Sequence, residues 1–149
     1  MPITRLTVGL NFFKRFYLSF SITPWTSKIT RAIQKEKKVY LWDTPRISNE
    51  ASRFENMVGL ELYRAVTLWN DMGYGRFSLH FIRDKEKREV DFLVVNGRKP
   101  FFLVETRLSQ TSPSENLIRF QKNLDMPAIQ LVNSGESYQL TKQGEIIKY

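Results

Sequence analysis

One long run of helical period, followed at once by three strand-like runs on short connections, restricts what this chain can become more than any other feature. From Ala51 to Asn70 the apolar positions Ala51, Phe54, Val58, Leu62, Ala65, Val66, Leu68 and Trp69 share one broad face at helical spacing. Gly73 and Gly75 close that helix. Then come FSLHFIR (77–83), EVDFLVV (89–95) and PFFLVETRL (100–108), separated only by DKEKR and NGRK. Connections so short cannot carry a crossover, so the three strands form an antiparallel meander. A second helix follows, with Pro113 in its first turn and an end near Leu124, and it allows a crossover to a fourth strand, AIQLVN (128–133). The class is α/β (α+β): a mixed central sheet flanked by helices, in the order αβββαβ.

The flanks are shorter elements. FYLSFSIT (16–23) alternates as a strand that Pro24 ends, and TSKITRAIQKEKK (26–38) reads as a short amphipathic helix capped by Thr26 or Ser27. VYLWD (39–43) is a strand, TPRISNE (44–50) a loop, and YQLTKQGEIIKY (138–149) a hairpin around Gly144. The 149 residues suit one domain, with a basic N-terminal extension (1–50), a core (51–133) and a C-terminal hairpin (134–149). The apolar segment Val8–Ile22 is too short to span a bilayer and carries Lys14 and Arg15 at its middle, so it belongs to the fold.

The formal charge of +8 is unevenly spread: residues 1–50 hold nine Lys/Arg against three Asp/Glu. Such an end suits a nucleic acid or an acidic surface, with Lys28, Arg31, Lys35 and Lys38 as phosphate contacts; a merely solvated basic face reads equally well. There is no cysteine, which fits the cytoplasm, and His80 is the single histidine. A Cys/His zinc site is therefore excluded, and any metal must be a hard cation held by oxygen.

Asp91, Glu105 and Arg107 interrupt the most apolar strands, where an unpaired charge is costly to bury. If the turn at Asn96 has an odd number of loop residues, Asp91 and Glu105 fall on one face; a two-residue turn separates them. Glu55, on the sheet-facing side of the helix, can approach the pair. Carboxylates beside a fixed cation suit Mg²⁺; the bland alternative is salt bridges to Arg107, Arg88 or a neighbouring strand. Glu61 reads as a helix ion pair with Arg64, the three tryptophans as core or interface anchors, and Ser109, Thr111 and Ser114 as helix caps.

EVDF, a turn and VETR resemble the core motif of the PD-(D/E)xK nuclease superfamily, with Arg107 at the lysine position. More specifically, KKVYLWDTP, SRFENMVGLELYRAV, EVDFLVV and FLVETRLSQTSPS are similar to the C-terminal domain of a family of prokaryotic AAA+ ATPases. The similarity covers roughly residues 16–133. It implies a restriction-endonuclease-like core, a site of Glu55, Asp91, Glu105 and Arg107, and Mg²⁺ or Mn²⁺ on Asp91 and Glu105 for phosphodiester hydrolysis. Arginine stays protonated and cannot serve as a base, so its place in this motif weighs against turnover more than against binding. No Gly-rich P-loop occurs in the sequence, so either this is a standalone copy or remnant of that domain, or an AAA+ partner supplies the motor. Two expectations follow: a silent nuclease-fold module that binds DNA or an ATPase partner, or an active Mg²⁺-dependent DNA nuclease.

Overall fold

A computed structural model describes residues 18–26, 36–109, 112–134, 137–141 and 146–148. It has the expected mixed α/β architecture. Strands β1 (Ser19–Pro24) and β2 (Lys38–Leu41) precede a 3-10 turn at Thr44–Arg46 and the long helix α1 (Glu50–Asp71). The meander β3 (Phe77–Arg83), β4 (Glu89–Asn96) and β5 (Lys99–Arg107) follows, then α2 (Glu115–Leu124), β6 (Ala128–Val132), β7 (Ser137–Leu140) and β8 (Ile146–Lys148). All the strands form one sheet in the order β2-β1-β3-β4-β5-β6-β7-β8. The β1–β3 and β5–β6 pairs are parallel and the remaining neighbours antiparallel. Residues 27–35, which include the expected helix and its Lys28, Arg31 and Lys35, lie outside the described residues. Lys38 opens β2 instead of ending that helix.

Burial on both faces explains why the middle strands read as continuous apolar runs. Phe92 and Val94 of β4 join Phe20, Tyr40, Val58 and Phe81 in the core beneath α1. Leu93 and Val95 turn the other way, to Leu103, Leu117, Phe120 and Ala128 beneath α2. Along α1 the buried line is Asn56, Val58, Gly59, Leu60 and Val66, whereas Ala51 and Leu68, expected on the core face, are exposed. The helix starts one residue earlier than its pattern suggested, because Asn49 caps it by accepting from Ser52 N at 2.9 Å. Similarly, Ser114 is the cap of α2, and Pro113 precedes it. Among the described residues no helix is long and apolar enough to cross a membrane.

The β4–β5 turn corrects the expected odd loop. Gly97 and Arg98 alone separate the paired residues Asn96 and Lys99, and Gly97 takes the left-handed φ of 63° that such a tight turn requires. Parity is altered one step later by a bulge, since Val95 pairs with Pro100 but Val94 with Phe102, leaving Phe101 as the extra residue. A second bulge lies on the other side of β4, where Phe81 alone spans Asp91 and Phe92 between the pairs His80–Leu93 and Ile82–Val90. One turn and two bulges, none carried by the hydrophobic pattern, thus set where Asp91 points.

Gly59 is where α1 comes closest to the sheet. A Cβ there would lie 3.0 Å from Cε1 and Cζ of Phe92, itself fully buried, so the ring has nowhere to retreat. Gly59→Val is expected to lower stability by about 1–3 kcal/mol, read as a lower urea midpoint at unchanged slope. An unchanged midpoint would mean that the helix–sheet spacing is not set here.

Candidate functional site

The acidic residues gather where β2, α1 and β4 meet. Lys38 Nζ lies 2.9 Å from Glu55 Oε1, 2.7 Å from Glu89 Oε1 and 3.5 Å from Asp91 Oδ1. The ammonium also sits 5.6 Å from the ring centre of Phe81, which adds a cation–π attraction. Glu55 Oε1 accepts a second bond, at 2.8 Å, from the Tyr40 hydroxyl. Burial works against the charge on Lys38, but Asp91, Glu55 and Glu89 outweigh it and its pKa is raised. Burial, reinforced by Glu55, likewise pushes the Tyr40 phenol far above its ordinary value, so it remains a donor.

Asp91 reaches this group because of the bulge in β4. Its second oxygen, Oδ2, accepts from Thr106 N at 2.9 Å and from Thr106 Oγ1 at 2.8 Å, which pins the carboxylate to β5. Glu105, the next residue back, leaves its strand on the other side from Thr106, as strand alternation requires. There its Oε1 is paired with Arg107 and its Oε2 accepts from Ser114, the cap of α2. Glu105 is 2% exposed. Burial raises its pKa, against the lowering effects of Ser114 and Arg107. Gln130, fully buried, completes this second group: its Oε1 accepts from Ser114 N at 2.9 Å and its Nε2 donates to Ser112 O at 3.0 Å.

The expected site residues therefore form two ion-paired groups that adjoin, since the Asp91 charge helps to raise the Glu105 pKa and Arg107 lines one small cavity with Glu55, Asp91 and Thr106. Glu55 and Asp91 come together through Lys38, whereas Glu105 and Arg107 pair with each other beside α2. Asp91 and Glu105, expected to share Mg²⁺ or Mn²⁺, do not fit that role as arranged. All four of their oxygens already face a donor, two of those donors being cationic, and a divalent ion beside either cation would be repelled. Among the described residues no three Asp, Glu or His side chains are placed to hold a metal. Lys38, expected to contact phosphate, is ion-paired here with three carboxylates, which offset its attraction for a phosphate.

Sequence reasoning missed Glu89, Tyr40, Thr106 and Gln130. Glu89 was legible, since it shares the alternation of Asp91 two residues on. The other three hold the site through contacts between distant segments, which no local pattern announces. Glu61 does pair with Arg64, as its spacing indicated. His80, the single histidine, is half-buried between strands, with Nδ1 3.3 Å from Thr23 Oγ1 and Nε2 3.0 Å from Ser78 Oγ. Burial lowers its pKa.

Fold and site together define a mixed α/β domain whose acidic cluster is neutralised from within by lysine and arginine. The family model described as "Domain of unknown function (DUF4143)" matches residues 52–149, most of the chain, and the protein belongs to that family. No curated protein matches the chain, and no solved structure does. Lys38 and Tyr40 precede the matched segment, so the cation at the centre of the acidic cluster is contributed from outside it.

Proposed function

We propose that this protein is a catalytically silent binding module built on a nuclease-like fold, engaging DNA or an ATPase partner and not hydrolysing phosphodiester bonds. The observation that carries the reading is the Lys38 ammonium among Glu55, Glu89 and Asp91. A metal-dependent nuclease needs its carboxylates turned to a divalent ion that polarises phosphate and activates water. Here a fixed monovalent cation takes that place for Asp91, and Arg107 takes it for Glu105. Arg107 also departs from the lysine of the motif and cannot accept a proton. In this reading the acids are retained as the ion pairs that join β2, α1 and β4. Contact with DNA would fall to the basic N-terminal residues Lys28, Arg31 and Lys35.

Cleavage assays on single- and double-stranded DNA with Mg²⁺ or Mn²⁺ test this, using wild type, Arg107→Lys and Asp91→Ala. The expected result is no cleavage by wild type above the Asp91→Ala background. Arg107→Lys alone is expected to add little, because Lys38 still occupies the acidic cluster. Robust wild-type cleavage that Asp91→Ala abolishes would establish an active nuclease instead.

A further inference from the structure

At the end of the sheet remote from the acidic cluster, the surface is apolar and basic together. Tyr74 is 65% and Phe101 48% exposed, and Met72, two residues before Tyr74, is 54% exposed. Phe101 is the bulged residue of β5, so it leaves the ladder and packs edge-on against Phe77 at 5.5 Å between ring centres. Around these side chains lie Arg76, Arg98 and Lys99, all exposed or partly so. The two segments are tied by backbone: Gly97 N donates to Arg76 O at 2.7 Å, and Arg76 N donates to Asn96 Oδ1 at 3.1 Å. None of the three cations takes part in a salt bridge among the described residues. The contrast with the other end is plain, where Lys38 and Arg107 are both committed to carboxylates.

Unshielded cations beside exposed aromatic rings complement a ligand that carries both negative charge and flat apolar faces. A single nucleic-acid strand has both along its length, whereas a duplex hides its base faces in the stack. Met72 and Phe101 also resemble the anchors of a protein interface, but the surplus of unpaired positive charge favours a polyanion. We propose that this surface, centred on Tyr74 and Phe101 and rimmed by Arg76, Arg98 and Lys99, binds single-stranded nucleic acid. The inference stands apart from the silent-site reading, since it uses none of the acidic cluster's residues.

Fluorescence anisotropy with labelled oligothymidylate tests it, comparing wild type, Tyr74→Ala/Phe101→Ala and Arg76→Gln/Arg98→Gln/Lys99→Gln. Both variants change side chains at the surface, and unchanged circular dichroism and melting would verify their folding. The aromatic variant is expected to bind about five- to hundredfold more weakly at fixed salt, the range that removing a base stack produces. The cation variant should flatten the slope of log K against log salt by about two, near 0.7 for each phosphate no longer neutralised. Duplex DNA of equal length should show the salt effect and little response to the aromatic change. Wild-type affinity in both variants would place binding elsewhere, for example on Lys28, Arg31 and Lys35, and overturn the proposal. Absence of binding by wild type at low salt would overturn it too. So would loss of self-association by the aromatic variant without any effect on oligonucleotide, because the surface would then be a contact between copies of the chain.

Discussion

Lys38→Ala is expected to lower stability by about 2–4 kcal/mol at neutral pH, since it strands like charges that share one counter-ion. The lower end is the better guide, because the Lys38 side chain is 20% exposed and solvent screens part of the interaction. Glu55 and Asp91 would then keep only Tyr40 and Thr106 as donors, while Glu89 would retain Arg83 on its second oxygen. The pKa of Lys38 is raised on folding, so its stabilisation is complete below the unfolded value of 10.5 and is lost only as pH climbs through the folded one. Urea titrations of both proteins across pH measure this directly. Equal stability at neutral pH would mean that the lysine is a bystander.

Asn56→Leu is the second change expected to have a large effect, at about 2–4 kcal/mol. Asn56 is 3% exposed on the buried side of α1 and acts as a short stretch of backbone for β2. Its Oδ1 accepts from Leu41 N at 2.7 Å, while its Nδ2 donates to Leu41 O at 2.8 Å and to Thr44 Oγ1 at 3.1 Å. Leucine fills similar space but leaves a buried donor and acceptor unmatched. The same change should loosen Lys38 and Tyr40, which lie on the strand that Asn56 holds. Hydrogen exchange at Leu41 N reports on the strand, and thermal unfolding gives the magnitude. Retained slow exchange at that amide would show that another group secures β2.

The elements of the core were legible because their signals are local. A helical period over twenty residues, three strand runs on short connections and a capped second helix leave few alternatives, and the structure follows that order. The site was only half legible. Charges interrupting apolar strands marked Asp91, Glu105 and Arg107, yet their grouping depended on features a hydrophobic pattern does not encode. A two-residue turn at Gly97–Arg98 would by itself put the acids on opposite faces, the bulge at Phe101 restores the register in which Asp91 comes opposite Glu105, and the bulge at Asp91–Phe92 turns Asp91 towards α1. The ion pairing of Lys38 was not legible. Within a run of lysines its charge suggests solvent, and only the pairing of β2 with β1 carries it to the carboxylates. The buried Asn56 and Gln130 were invisible for a related reason, since a polar residue in a helix or strand reads as exposed until its distant partner is known.

Central to the proposed function is that the acids of this fold, ion-paired with the chain's own cations, hold no divalent ion. Calorimetric titration of wild type, Asp91→Ala and Lys38→Ala with Mn²⁺ tests it most directly. Wild type and Asp91→Ala are expected to give the same heat of dilution, with binding appearing only in Lys38→Ala, where the carboxylates have lost their resident cation. Saturable binding to wild type that Asp91→Ala removes would contradict the account.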